Sequence, residues 1–255
     1  TSDKADGTYG VGTNITVTTT FSEAVTLAGG DFVMTMETGD TDRDVTISSI
    51  SASTTTSGTY TVQSGDVSAD LNATTNASTT GTITDAAGNA MTNFAYGSNF
   101  ASKSIVIETT PPTITNVTST TNNGTYGVGD DINVTVTFSE DVTLSGSGAV
   151  FTVPLETGST NSDYDLEISS ISSAGTGSGT YTVRANDDTG GSDLTVKTTP
   201  GLTTTGTVAD DAGNNMADFS IPSGQNLADL KNIIIDAVYP TITNVNSTTA
   251  DGTYK

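Results

Sequence analysis

Oxygen-bearing side chains are the residues of this sequence best suited to chemistry. Its 255 residues include 29 acidic and 7 basic side chains, and Asp supplies 23 of the acidic ones. The absence of His, Cys and Trp excludes an imidazole base, a thiolate nucleophile and the common zinc ligands. Carboxylate and amide oxygens are instead the ligands that Ca²⁺ prefers. The composition therefore favours cation binding over catalysis, and we expect no enzymatic activity.

An acidic loop pattern, Asp-X-Ala-Gly-Asn, occurs twice, at residues 85–89 and 210–214. Its side chains supply several of the oxygens that a Ca²⁺ site requires. The same pattern is typical of a tight turn in which Asp and Asn bond their own backbone. From the sequence, both interpretations of this loop stay open.

The loop belongs to a longer internal repeat, which sets the domain organisation. Gly7–Gly12 recurs as Gly124–Gly129, and Pro112–Val117 recurs as Pro240–Val245. Two copies of roughly 120 residues follow, together with the opening of a third. The expected boundaries are a first repeat at 1–107 that lacks its first strand, a linker at 108–111, a second repeat at 112–235, a linker at 236–239, and the first strand of a next repeat or a donor strand at 240–255.

Apolar and polar residues alternate within each repeat. Ile132, Val134, Val136 and Phe138 fall on one side of a predicted strand, with polar residues between them. A period of two indicates strands with one buried and one solvated face. Turn-forming residues separate such segments, and no segment shows a sustained helical period. We therefore predict an all-β fold: two tandem seven-stranded immunoglobulin-like β-sandwich domains plus the first strand of a third repeat.

The repeated motifs resemble those of a family of surface proteins. They are Pro-Thr-Ile-Thr-Asn-Val at 112–117, Gly-Thr-Tyr-Gly-Val-Gly at 124–129, Phe-Ser-Glu at 138–140 and the acidic loop. These motifs are similar to the tandem immunoglobulin-like, cadherin-like repeats of very long prokaryotic cell-surface proteins, including adhesin stalks and cell-envelope filaments. The resemblance covers nearly the whole chain. It implies calcium ions that stiffen the linkers between repeats.

An immunoglobulin-like topology brings the end of the second strand, the acidic loop and the preceding linker to one end of each domain. The expected Ca²⁺ ligands at the junction of the two repeats are Glu108, Asn116, Glu140, Asp141, Asp210, Asp211 and Asn214. At the junction with a neighbouring repeat they are Glu23, Asp85, Asn89 and Asp236. Without a cation, so many carboxylates would repel one another.

The second copy of the Pro-Thr-Ile-Thr-Asn-Val motif is a candidate assembly strand. In one interpretation, Pro240, Ile242 and Val245 pair with the unsealed edge of the first repeat in a neighbouring copy, which builds a head-to-tail filament. The alternative is a covalent array in which this sequence is one segment. In both cases the partners are identical or similar repeats.

The sequence thus predicts a structural repeat unit of an extracellular surface fibre, adhesin stalk or envelope lattice, stacked head to tail with calcium-stiffened junctions. The net charge of −22 argues against nucleic acid and anionic membranes as partners, and no run of about 18 apolar residues is present to insert in a bilayer. The alternative function is an adhesive module that binds glycan or ice through Thr-rich strand faces such as Thr16, Thr18 and Thr20. Aromatic residues that could stack on sugars make up only 6% of the chain.

Overall fold

The protein is an all-β molecule. The computed structural model describes residues 1–98, 100, 103–158 and 163–255. Strands contain 49% of the residues and helix 2%, and the sheets are mostly antiparallel, which confirms the predicted all-β sandwich class. The chain forms two compact units. The first comprises Thr1–Pro112, Glu140–Thr143 and Thr207–Ala217; the second comprises Thr113–Ser139, Leu144–Gly206 and Asp218–Lys255.

Strands of the first repeat form two three-stranded antiparallel sheets and one parallel pair. The strands are β1 Gly7–Tyr9, β2 Asn14–Ala28, β3 Phe32–Met36, β4 Arg43–Ile47, β5 Ser53–Thr61, β6 Ser78–Thr79, β7 Thr82–Asp85 and β8 Ile105–Ile107. One sheet has the order β5-β2-β7 and the other β4-β3-β6, while β1 runs parallel to β8. The long strand β2 bends at a register shift, so that its two halves pair with β5 and β7 respectively.

Strands of the second repeat follow the order of the first, with two pairs of strands fused and three further strands present. They are β9 Ile114–Thr118, β10 Gly124–Tyr126, β11 Asp131–Glu156, β12 Tyr164–Ile168, β13 Ala174–Thr182, β14 Asp188–Asp193, β15 Thr195–Val196, β16 Thr203–Asp210 and β17 Ile233–Asp236. The 26-residue strand β11 covers the positions of both β2 and β3, because its central residues stay extended. Strands β9, β12, β13, β15 and β16 all pair with β11, and β10-β17-β14 form a separate sheet.

A four-residue helix, α1, spans Leu227–Leu230, in a sequence for which no helix was expected. A single turn is too short to show a helical period. Its start is specified locally by a capping box, in which Asn226 and Asp229 each accept from the other's backbone amide. The buried side chain of Leu227 anchors the turn in the second unit.

The core is formed by the predicted alternation. Ile132, Val134 and Val136 are fully buried, and Phe138 is 4% exposed. In the first repeat, Ile15 on β2 is likewise fully buried. Each such side chain stabilises the fold by roughly 1.5–3 kcal/mol relative to an exposed one. The strand faces that the sequence predicted are therefore the faces that pack.

Candidate metal centre

Three carboxylates meet in the first unit. Glu108 follows β8, Glu140 lies on β11 and Asp210 ends β16. One carboxylate oxygen from each lies within 4.8 Å of the other two, an arrangement that can hold a metal ion. Glu108 and Glu140 are half-buried, and Asp210 is 7% exposed. Negative charges 4.8 Å apart repel by about 3 kcal/mol per pair at an effective dielectric constant of about 20. We call these three residues the acidic triad; a bound cation would offset their mutual repulsion.

A tight turn at Asp210–Asn214 positions the most buried carboxylate of the triad. Asp210 Oδ1 accepts the backbone amide of Asn214 at 2.8 Å. The Gly213 amide donates to the Asp210 carbonyl at 3.2 Å, and Gly213 has a φ of +89°, which suits glycine. The loop is thus a turn held by its own Asp, as one of the two interpretations had it. The turn and the metal centre are compatible, because the same carboxylate serves both.

The Asn214 side-chain amide bridges two members of the triad. Its Nδ2 donates to Asp210 Oδ2 at 2.9 Å and to Glu108 Oε2 at 2.7 Å. Its Oδ1 accepts the backbone amide of Val11 at 3.3 Å. With its oxygen engaged there, Asn214 orients the carboxylates and offsets part of their repulsion. The predicted role of Asn214 as a ligand itself stays a prediction.

Gly10 brings the backbone of the first repeat against this turn. Its amide donates to the Ala212 carbonyl at 3.1 Å. A Cβ at this position would lie 2.6 Å from the Ala212 oxygen and 2.7 Å from Asn214 Oδ1. The approach therefore requires glycine. This role could not be predicted from the sequence, because the repeated motif places a glycine at both Gly10 and Gly127. Only the glycine at position 10 lacks room for a Cβ, since Gly127 has that room.

The remaining predicted ligands are not part of the converging group. Asp141 and Asp211 are exposed and are not among the three residues whose oxygens converge. Asn116 lies on β9 in the second unit, where its amide oxygen accepts the Thr137 hydroxyl at 3.1 Å. The structure thus joins three of the seven predicted residues as candidate ligands and a fourth, Asn214, as their positioning group.

The first acidic loop forms the same turn without an acidic triad around it. Asp85 Oδ1 accepts the Asn89 amide at 2.8 Å, and Oδ2 accepts Asn89 Nδ2 at 2.7 Å. These bonds, led by that from the Asn89 side chain, hold the pKa of Asp85 below its ordinary value. Glu23 is exposed, and Asp236 is exposed in the second unit. Within the described residues, only Glu108, Glu140 and Asp210 form a group able to hold a metal.

The other predicted surfaces have mixed exposure. Ile242 and Val245 of the candidate assembly strand are each 86% exposed, and Pro240 is exposed. Thr16 and Thr18 of the Thr-rich face are half-buried, and the Thr18 hydroxyl lies 2.8 Å from that of Ser57. The Thr row is therefore engaged within the fold over part of its length.

Comparisons with known proteins leave the chain without an assigned family. The sequence matches no protein-family model and no curated protein. Among the described residues, no helix is long and apolar enough to cross a membrane.

Proposed function

We propose that this protein is a structural repeat unit of an extracellular fibre, stalk or envelope lattice, and that the acidic triad binds Ca²⁺. The observation that carries the proposal is the convergence of Glu108, Glu140 and Asp210 from distant points in a tandemly repeated sequence. Immunoglobulin-like repeats of this kind have a mechanical role: they hold distance and transmit force. No catalytic step forms part of the proposal.

Calcium is the cation that suits this donor set. The triad supplies only oxygen atoms, and the chain has no His or Cys with which to favour a transition metal. Ca²⁺ accepts six to eight oxygens in irregular geometry, whereas Mg²⁺ demands a nearly ideal octahedron. Three carboxylates at the rim of a fold, completed by water, match the modest affinity of extracellular calcium modules.

A cation in the triad would hold the linker after the first repeat against two segments that the sequence of the second repeat contributes to the first compact unit. Glu108 belongs to the linker that follows the first repeat, whereas Glu140 and Asp210 belong to the second. A cation bound by all three carboxylates would replace their repulsion by attraction to a common centre. This is the physical basis of the proposed stiffening.

Calorimetric titration of the full chain with Ca²⁺ tests the site. Glu108→Gln removes one ligand charge at nearly constant size and is expected to weaken Ca²⁺ binding roughly tenfold or more, since affinity follows the number of ligand charges. Glu37→Gln is the matched control: it makes the same change at an exposed glutamate of the first unit. It should leave the affinity at the wild-type value.

Two results would overturn the calcium proposal. One is wild-type protein that binds no Ca²⁺ at millimolar concentration. The other is equal affinity of the Glu108→Gln and Glu37→Gln variants, which would place the bound ion elsewhere. Circular dichroism of both variants shows whether they keep the β fold of the wild type.

A further inference from the structure

The side-chain amide of Asn214 faces two carboxylates of the acidic triad with its nitrogen. Nδ2 donates to Glu108 Oε2 at 2.7 Å, to the Glu108 carbonyl at 3.1 Å and to Asp210 Oδ2 at 2.9 Å. The Asn214 residue is only 5% exposed. An amide nitrogen is a donor and never an acceptor. The nitrogen is thus surrounded by oxygens, as a bound cation would be.

The first acidic loop separates the effect of the turn from the effect of the triad. Asn89 Nδ2 donates to Asp85 Oδ2 at 2.7 Å, within its own loop, and Asn89 is exposed. Among the described residues, Asp85 is not part of a group able to hold a metal. The turn therefore explains the bond from the Asn nitrogen to its own Asp. The additional bonds of Asn214 to Glu108 arise from the surroundings of the second loop.

The oxygen of the same amide has a weaker partner. Asn214 Oδ1 accepts the backbone amide of Val11 at 3.3 Å, which is longer than the usual N–H···O separation of about 2.9–3.0 Å. Val11 is 52% exposed, so solvent lies close to this hydrogen bond. Water can therefore replace Oδ1 as the acceptor for Val11 at little cost.

The two ends of an amide have opposite polarity, and a cation would reverse which end suits the triad. Carboxylates alone attract the N–H groups, whereas a cation among them repels N–H groups and binds oxygen. A half-turn about the Cβ–Cγ bond exchanges the two ends with little change in shape, and this torsion of Asn is broad. The charge held between Glu108 and Asp210 therefore determines the orientation of Asn214.

We propose that Asn214 is a two-position switch of the acidic triad. When no cation is bound, Nδ2 bridges Glu108 and Asp210 and offsets their repulsion. When Ca²⁺ binds, the amide rotates, Oδ1 becomes a further ligand, and the backbone amide of Val11 loses its acceptor. This inference rests on the proposed calcium site, and it specifies both an additional ligand and the group that holds the carboxylates together without the ion.

The rotation has an unusual consequence for the segment that follows β1. The Gly10 amide donates to the Ala212 carbonyl at 3.1 Å, and the rotation leaves this bond intact. The next amide, that of Val11, is released to solvent. Ligand binding ordinarily slows the exchange of protein amide hydrogens, because it stabilises the folded state. Ca²⁺ should here slow or leave unchanged the exchange at Gly10 but accelerate the exchange at Val11.

NMR spectroscopy of the isotope-labelled full chain, with Ca²⁺ and with chelator, tests the rotation. On addition of Ca²⁺, the side-chain amide signals of Asn214 should shift and hydrogen exchange at the Val11 amide should become several-fold faster. The side-chain amide of Asn89 and the backbone amide of Gly10 are internal controls, and neither should show these changes. A chain that binds Ca²⁺ without changes at Asn214 and Val11 would overturn the rotation.

Calorimetric titration of two matched variants tests whether the oxygen of residue 214 is a ligand. Asn214→Asp presents an oxygen in either orientation and adds a ligand charge, so it is expected to bind Ca²⁺ roughly tenfold or more tightly than the wild type. Asn89→Asp makes the same change in the first acidic loop and should leave the affinity at the wild-type value. Equal affinities of the two variants would contradict a ligand role for Asn214.

Urea denaturation in chelator tests the bridging role without the ion. Asn214→Asp should lower the urea midpoint more than Asn89→Asp does, because Glu108 and Asp210 lose a buried donor and gain a further negative neighbour. Ca²⁺ should restore most of that loss. Equal midpoints of the two variants in chelator would overturn the bridging role.

The same experiments separate this inference from the proposed function. Ca²⁺ binding to the wild type with no change at Asn214 would overturn the switch and leave the calcium site in place. Wild-type protein that binds no Ca²⁺ would overturn the proposed site and the rotation together.

Discussion

A buried aspartate in each repeat forms an ion pair with an arginine and accepts a hydrogen bond from a tyrosine. In the first repeat, Asp66 is 1% exposed. It accepts Tyr60 Oη at 2.7 Å, Arg43 Nε at 2.8 Å and the Gln63 amide at 2.9 Å. Burial of Tyr60 and its hydrogen bond to Asp66 raise the pKa of the tyrosine, which keeps it a donor. The buried charge is therefore fully hydrogen-bonded, as its stability requires.

In the second repeat, the arginine that pairs with the buried aspartate comes from a different position in the sequence. Asp187 is fully buried and accepts Tyr181 Oη at 2.6 Å and Arg184 Nε at 3.0 Å. Arg184 corresponds to Gln63 of the first repeat, and the position of Arg43 is taken by Tyr164, over whose ring Arg184 lies at 5.2 Å. The arginine therefore lies on a strand in the first repeat and in a loop in the second. In both repeats it contacts the equivalent buried aspartate.

The two alternative arginine positions allow an experiment in which lost stability is restored. Arg43→Tyr is expected to lower the free energy of unfolding by about 1–3 kcal/mol, because Asp66 loses a charged donor. Arg43→Tyr/Gln63→Arg, which copies the second repeat, should regain most of that loss. Urea denaturation followed by circular dichroism measures both. Gln63→Arg alone is the control and should change stability by less than about 0.5 kcal/mol. A double variant no more stable than Arg43→Tyr would show that the two positions are not interchangeable.

At the scale of the structural elements, the two acidic loops have the same internal structure and different surroundings. Each Asp accepts its Asn amide at 2.8 Å. Asn89 is exposed, however, whereas Asn214 is 5% exposed and donates to Glu108. The difference arises from the strand end at Gly10, which packs against the second loop.

Substitution of Gly10 should therefore disturb the second acidic loop and leave the first unchanged. Gly10→Ala places a Cβ 2.6 Å from the Ala212 oxygen and is expected to cost about 1–3 kcal/mol and to weaken Ca²⁺ binding. Gly127→Ala is the matched control, since its Cβ would meet only the Asp236 oxygen at 3.7 Å. It should change stability by less than about 0.5 kcal/mol. Urea denaturation and calorimetric titration measure the two effects. Equal effects of the two variants would contradict the role of Gly10.

The whole molecule carries a net charge of −22, and the proposed Ca²⁺ would offset part of that charge at the acidic triad. Small-angle scattering should show a broader distribution of chain dimensions in a chelator than in Ca²⁺, because the three carboxylates then repel one another. Glu108→Gln should abolish most of the calcium effect. Identical scattering with calcium and with chelator would contradict the proposed stiffening.

Local patterns in this protein could be predicted because each is complete within a few residues. The tyrosine hydroxyls of Tyr9, Tyr126 and Tyr254 all donate to the carbonyl four residues earlier, at Ala5, Asn122 and Ala250. The same short motif thus produces the same contact three times. Alternation likewise predicted which side chains of β11 are buried, since a strand turns successive residues to opposite faces.

Contacts between residues far apart in sequence determine which of these local features come together in the fold. The all-β class and the internal repeat could be predicted from the amino-acid sequence, because a period of two and direct self-similarity specify them. The convergence of Asp210 with Glu108 and Glu140, and the hydrogen bonds from the Asn214 amide to two of these carboxylates, arise from the tertiary fold. Those contacts depend on how strands far apart in sequence pack and on the close approach of Gly10, which two nearly identical loop sequences cannot encode.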